Sequence, residues 1–128
     1  MNTKLLMMSS ALTMGLAGIA ASFLPHEFLN SMQIAPVGIT PVLVQIIGAC
    51  YLAFAMCNWM SKANLIGGIY NRPIAMANLL HFAVSALAIL KAVMVNQTIT
   101  LLWIIGVIYT IFAIWFAIVF FSHPIKES

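Results

Sequence analysis

The side chains that could do chemistry inside this chain lie on two apolar segments that flank a polar turn. Tyr51 and Asn58 are seven residues, or about two helical turns, apart on the first segment, and Asn78, His81 and Ser85 follow at steps of three and four on the second. Phenol, amide, imidazole and hydroxyl groups all form hydrogen bonds, and His81 is the one among them that titrates near neutrality. The pattern predicts two polar stripes, on two helices, that face each other across a hairpin.

Two interpretations of these five residues are open. In the first, they hydrogen-bond across the helix interface and serve packing alone, each bond contributing about 0.6 to 2 kcal/mol in a membrane. In the second, the same groups line a pocket between helices that binds a small lipophilic molecule. An antiparallel hairpin would place Asn58 at the depth of Asn78, and Tyr51 at the depth of His81 and Ser85.

Catalysis and metal binding have little support in the sequence. The two acidic residues, Glu27 and Glu127, lie outside the apolar segments, so no carboxylate pair can form within them. Cys50 and Cys57 are seven residues apart on one predicted helix, too far for a mutual disulfide, and are expected to be inert buried thiols. We therefore expect no catalytic residues, no metal site and no independent enzymatic activity.

The composition assigns the chain to a membrane. Of its 128 residues, 64% are hydrophobic and 5% are charged, whereas a water-soluble domain has about a quarter charged residues. Its five Lys and Arg residues are scattered singly, so no basic face exists to bind nucleic acid. The expected partners are the lipid bilayer, a small lipophilic ligand, and a membrane protein partner or a second copy of the chain.

Four apolar segments are each about long enough, at about 20 residues, to cross a hydrocarbon layer. The sequence predicts one all-α domain over residues 1–128, an antiparallel bundle of four transmembrane helices with a short interfacial helix after the first span. The fourth span is expected to present an almost wholly lipid-like surface. The predicted spans cover about residues 5–24, 42–60, 74–95 and 99–122.

The first span carries small residues at helical spacing, Ala11, Gly15, Gly18 and Ser22. Such a face lets two helix backbones approach closely, which predicts a packing role. A cleaved signal peptide is the competing interpretation, because Lys4 supplies a charged start and small residues follow the apolar run. The run is longer than the usual signal core, so we expect the helix to be retained.

The positive charges predict the orientation of the bundle. Lys4, Lys62, Arg72 and Lys126 fall at one of its faces, and Lys91 lies near the other, where its long side chain can reach the boundary. Because Lys and Arg are enriched in cytoplasmic loops, both termini are expected on the cytoplasmic side of the inner membrane.

Three stretches carry a likeness to a known family. They are Leu24 to Leu29, then Ile46 to Ala55 leading to Asn58 and Trp59, then Arg72 and Pro73 followed by Asn78 and His81. Together they resemble the small bacterial DoxX-like four-helix membrane proteins, over about Leu5 to Val95. The resemblance implies an inner-membrane bundle; most members have no established activity, and a few are associated with quinone-linked oxidation of sulfur compounds.

These observations lead to one expected function and two alternatives. We expect a bacterial inner-membrane protein without catalysis of its own, either an accessory subunit or a binder of a small lipophilic molecule in a pocket around His81. The resemblance implies a first alternative, a quinone-linked redox subunit with a quinone as cofactor. A purely structural scaffold is the second alternative.

Overall fold

The structure, a computed structural model, describes residues 2–64 and 71–122 of the chain. Four of its helices are long and apolar enough to cross a membrane. The predicted antiparallel four-span bundle is confirmed. Both ends of each predicted span lie within two residues of the ends of the corresponding helix. Residues 65–70 of the predicted turn at 61–73 and the whole tail at 123–128 lie outside the described residues. The helices are α1 (Thr3–Phe23), α2 (Pro25–Ser31), α3 (Thr40–Ser61), α4 (Arg72–Val95) and α5 (Thr100–Phe121).

Local sequence signals set where these helices begin. The side chain of Asn2 caps α1 by accepting a hydrogen bond of 3.0 Å from the amide of Leu5. A proline stands in the first turn of α2, α3 and α4, where its missing amide hydrogen leaves no bond unmade. Thr40 is the first residue of α3, and Ile39 precedes it without a side-chain hydrogen bond to the helix.

The long helices pack as two pairs. α1 lies against α3 along its length, and α4 lies against α5, whereas α3 meets α4 and α1 meets α5 over much smaller areas. Neighbouring long helices meet in opposite residue order, as the Gly18–Gly48 and Ser10–Asn58 contacts of α1 with α3 show, so they are antiparallel. The short helix α2 lies against α1 and α3 at the end of the bundle where α1 finishes.

The α1–α3 pair is held by direct backbone contact. A Cβ added at Gly48 would lie 2.7 Å from the backbone nitrogen of Ser22, and one added at Gly18 would lie 3.0 Å from the carbonyl oxygen of Gly48. Neither distance leaves room for a side chain. The predicted small-residue face of α1 is therefore confirmed as a packing surface, and van der Waals contact at such faces is what holds helices together in lipid.

The α4–α5 pair is held by aromatic rings. Phe82 of α4 is fully buried, and its ring centroid lies 4.9 Å from that of Phe112 and 5.7 Å from that of Phe116, both on α5. The expectation that the fourth span is almost wholly lipid-like is wrong, because α5 has a buried face at steps of three and four. That face consists of Gly106, Tyr109, Phe112, Phe116 and Val119.

The outer surface of the bundle is apolar. Leu16, Leu87 and Ile114, on three different helices, are 70%, 71% and 57% exposed in the isolated chain. Such a surface is stable in lipid and not in water, so the chain is a multi-pass membrane protein surrounded by a bilayer. Cys50 and Cys57 lie on this outer surface of α3. The expectation of buried thiols is wrong, because both cysteines are exposed on the side of α3 away from its buried residues.

Candidate functional site

Asn58 of α3 and Asn78 of α4 form a reciprocal amide pair in the fully buried core. Each side-chain nitrogen donates to the side-chain oxygen of the other residue, at 2.7 Å in both directions. The second hydrogen on Asn78 goes to the carbonyl oxygen of Ile74, at 2.9 Å. The predicted approach of Asn58 to Asn78 is confirmed.

Ser10 brings α1 into the same network. Its hydroxyl accepts the second hydrogen of the Asn58 amide at 3.0 Å and donates its own hydrogen to the carbonyl oxygen of Met7 at 3.1 Å. All four amide hydrogens of Asn58 and Asn78 therefore have acceptors. A buried polar network with every donor satisfied is stabilising, so this amide network is a structural joint between α1, α3 and α4.

His81 lies about one helical turn further along α4, inside a cluster of aromatic rings. Its ring centroid is 5.1 Å from that of Tyr51, 5.3 Å from that of Phe54 and 5.7 Å from that of Tyr109. The predicted approach of Tyr51 to His81 is confirmed. The Nε2 atom of His81 is buried and has no hydrogen-bond partner among the residues that the structure describes.

Tyr51 and Tyr109 complete this cluster with a hydrogen bond that links α3 to α5. The hydroxyl of Tyr109 donates to the hydroxyl of Tyr51 over 2.6 Å. Two hydroxyl groups carry two hydrogens, and this bond uses one of them. The pair therefore keeps one hydrogen to donate, and no acceptor for it is found within residues 2–64 and 71–122.

The two tyrosines form one end of a cavity of about 280 Å³ between the helix pairs. Its wall is built from all five helices, and almost all of it is hydrocarbon. Phe28 of α2 and Met32, just after α2, cover the side at the end of the bundle. The lining residues are Thr13, Ala17, Ala21, Phe28, Met32, Val44, Ile47, Tyr51, Ile89, Leu102, Ile105, Ile108 and Tyr109.

The cavity occupies one half of the bundle and the amide network the other. Tyr51 and Asn58 are seven residues apart on α3, which is about 10 Å along a helix axis. Beyond Tyr51, away from Asn58, the two helix pairs leave space between them. Met32 and Leu102 line both this cavity and a second, more open depression of about 500 Å³ that also includes Asn96 and Ile99. The cavity adjoins this depression between Met32 and Leu102, and we take that side, at the α2 end, as its mouth.

The predicted site residues occupy three different surroundings. Tyr51 lines the cavity, Asn58 and Asn78 form the amide network, and His81 lies behind the tyrosine pair in the aromatic cluster. Ser85 is half-buried on α4, one turn beyond His81. Of these five residues, Tyr51 alone belongs to the described lining of the cavity.

Three contributors were not singled out from the sequence. Ser10 and Tyr109 supply a hydroxyl each, and α2 supplies a wall through Phe28. The signal for Tyr109 was present, since it stands three residues after Gly106 and seven before Phe116 on one face of α5. Ser10 gave no comparable signal, because a serine in an apolar helix can bond to its own backbone wherever it faces.

Among the residues that the structure describes, charged groups lie at the two ends of the bundle and not in the cavity wall. Lys4, Lys62 and Arg72 are at the end where α1 begins and α3 finishes, and the ammonium group of Lys62 lies 3.1 Å from the ring centroid of Trp59. Lys91, exposed near the end of α4, is at the opposite end. Within the described ranges, no cluster of His, Cys, Asp or Glu could hold a metal ion.

No family model, no curated protein and no solved structure matches this chain.

Proposed function

We propose that this protein holds a small lipophilic molecule in the cavity between its two helix pairs, as a binding protein or accessory subunit without catalysis of its own. One observation carries the proposal: about 280 Å³ of apolar space, partly open to the surroundings, lies between the helix pairs and ends at a tyrosine pair with a spare hydrogen-bond donor. A dry apolar cavity of about 150 Å³ is enough to bind benzene, so this space is large enough for a small lipophile.

The arrangement of polar groups supports binding over packing alone. A structural scaffold requires only that its helices pack together. The amide network already joins the two helix pairs in one half of the bundle, and the Gly18–Gly48 contact already holds α1 against α3. Neither contact requires the two helix pairs to be separated by a cavity in the other half of the bundle. The proposed binding residues are Tyr51 and Tyr109, with His81 packed behind them as support for their rings.

We propose the bacterial inner membrane as the location, with both termini in the cytoplasm. Lys4, Lys62 and Arg72 lie at one end of the bundle, and such an excess of positive residues favours the cytoplasmic side. In this orientation the mouth between Met32 and Leu102 faces the opposite side of the membrane. Membership of the DoxX-like family is part of the same proposal and rests on the sequence resemblance alone.

The test is to identify what accompanies the protein out of its membrane. The chain is extracted in a mild detergent, washed, and examined by mass spectrometry under native and then denaturing conditions. We expect a lipophile in stoichiometric amount that is lost in Ala17→Phe, where the new ring fills the cavity. The matched control is Ala53→Phe, which places the same ring on the exposed side of α3 and should retain the lipophile.

Three outcomes separate the candidate functions. A neutral lipophile that Ala17→Phe removes supports the binding proposal. A quinone in that position would favour the redox subunit that the resemblance implies. No lipophile in the wild-type protein, together with equal stability of Ala17→Phe and Ala53→Phe, would contradict binding and leave the scaffold as the better description.

A further inference from the structure

The cavity also indicates which class of molecule it accepts. Building on the proposed binding function, we infer that the occupant is an uncharged, elongated lipophile with one hydrogen-bond-accepting oxygen at its end, such as a ketone, aldehyde or ester. The oxygen lies at the tyrosine pair, and the hydrocarbon part extends towards the mouth between Met32 and Leu102.

The tyrosine pair sets the chemistry of the ligand's polar end. Tyr109 donates to Tyr51, so the hydrogen of Tyr51 is the one that is left over, and Tyr51 lines the cavity. Were the bond to run the other way, Tyr109, which also lines the cavity, would hold the spare hydrogen. A ligand oxygen that accepts this hydrogen satisfies a donor that would otherwise be buried without a partner.

No other hydroxyl of the described lining offers a free hydrogen. The hydroxyl of Thr13 donates to the carbonyl oxygen of Ser9, at 2.9 Å along its own helix. A ligand with several polar groups would therefore leave most of them unpaired in a hydrocarbon wall, at a considerable cost for each group. The cavity wall can therefore satisfy one hydrogen-bond acceptor of a ligand, at one end of the molecule.

The absence of charge along the described lining excludes ionic ligands. Every residue of that lining is uncharged, and the nearest charged side chains by helix position, Glu27 and Lys91, are exposed on α2 and α4. A carboxylate or an amine in the cavity would lose its hydration without gaining a counter-ion, which is far more costly than burying a ketone. Free fatty acids and lipid amines are thus poor ligands.

The dimensions of the cavity favour a chain-like molecule. In proportion to the cavity of about 150 Å³ that binds benzene, 280 Å³ holds about eleven non-hydrogen atoms. Tyr109 and Leu102, at the two ends of the α5 wall, are seven residues apart, or about 10 Å along the helix. A longer tail would leave past Met32 into the wider depression beside Ile99.

Three probes of equal chain length test this inference in detergent micelles: methyl nonyl ketone, undecane, and undecanoate at alkaline pH. Each is added at the same micellar mole fraction, and affinity is obtained from the rise in the thermal unfolding midpoint with probe concentration. We expect the ketone to bind about fivefold more tightly than undecane, because one neutral hydrogen bond contributes about that factor in affinity. Undecanoate should bind more weakly than both.

Two variants locate the donor. Tyr51→Phe combined with Tyr109→Phe should bring the affinity for the ketone down to that for undecane. Thr110→Val is the matched control, because the hydroxyl of Thr110 is next to Tyr109 in sequence but donates to the carbonyl oxygen of Gly106 and is not part of the cavity wall. This variant should keep the preference for the ketone.

A spectroscopic measurement gives the same answer without a variant. The carbonyl of an isotope-labelled ketone should absorb at lower infrared frequency when bound to the wild-type protein than when free in micelles. An unshifted carbonyl, or affinities for undecane and undecanoate equal to that for the ketone, would overturn this inference and leave the proposed binding function intact. If no probe raises the midpoint of the wild-type protein more than that of Ala17→Phe, the proposed function itself is overturned.

Discussion

Asn58 and Asn78 exchange two amide hydrogen bonds of 2.7 Å each, and this exchange joins the α1–α3 pair to the α4–α5 pair. The joint lies in the half of the bundle away from α2, while the other half contains the cavity. The two helix pairs are therefore fastened at one end and separated by a cavity at the other. The stability of the protein and its capacity to bind a ligand reside in different halves of the same bundle.

The amide pair predicts a specific pattern of stabilities. Asn78→Leu should lower the free energy of unfolding by about 1 to 3 kcal/mol, because it leaves the buried amide of Asn58 without its reciprocal partner. Replacing both residues by leucine should cost less than the sum of the single replacements, since no unpaired amide remains. Denaturant titration in mixed micelles measures all three. Strictly additive losses would contradict the direct coupling of the two amides.

The backbone contact between α1 and α3 gives a prediction with a control on the same interface. Gly48→Ala should destabilise the protein by about 1 to 3 kcal/mol, because the added Cβ would lie 2.7 Å from the backbone of Ser22 and the helices must separate. Gly15→Ala should have little effect, since its Cβ would lie 3.6 Å from that of Ala55, an ordinary contact. The same titration compares them, and equal losses would show that the contact is not tight.

His81 is expected to act through the shape of its ring. Its Nε2 atom has no hydrogen-bond partner in the part of the chain that the structure describes, and aromatic rings surround it. His81→Phe should therefore leave the free energy of unfolding within about 1.5 kcal/mol of the wild-type value. His81→Ala should lower it by at least about 2 kcal/mol because a cavity forms beside Phe82. A loss in His81→Phe as large as in His81→Ala would reveal a required polar partner for the imidazole.

The sequence predicts those parts of the site in which polar side chains of two neighbouring helices lie at the same depth in the membrane. Counting inward from the turn places Asn58 opposite Asn78 and Tyr51 opposite His81, because two antiparallel helices with a common turn rise at the same rate per residue. Both approaches occur in the structure. Four spans and their ends follow from length and hydropathy alone.

The cavity could not be predicted in this way. The cavity exists because the two helix pairs are separated beyond Tyr51. The distance between the pairs depends on tertiary packing, which the sequence of a single helix does not reveal. The role of α5 was hidden for a related reason. Lipid-facing and core-facing positions of this helix are both apolar, so the periodicity that reveals the buried face of a soluble helix is weak, and Tyr109 was not separated from its neighbours.

The proposed orientation can be tested by labelling single cysteines in intact cells, after Cys50 and Cys57 have been replaced. A cysteine at Gln97 or Asn30, both exposed at the α2 end, should react with an impermeant reagent added outside. A cysteine at Asn64, exposed at the other end, should react only after the cells are opened. The reverse pattern would place the mouth of the cavity on the cytoplasmic side.

A heavy atom on the ligand can show whether the cavity binds a lipophile with its oxygen at the tyrosine pair. Crystals of the protein are grown with methyl nonyl ketone that carries a bromine on the far end of its chain, and the anomalous signal of bromine is mapped. We expect one peak between Met32 and Leu102, with the carbonyl oxygen within hydrogen-bonding distance of the hydroxyl of Tyr51 or Tyr109. Bromine found only on the outer, lipid-facing surface, with an unoccupied cavity, would contradict it.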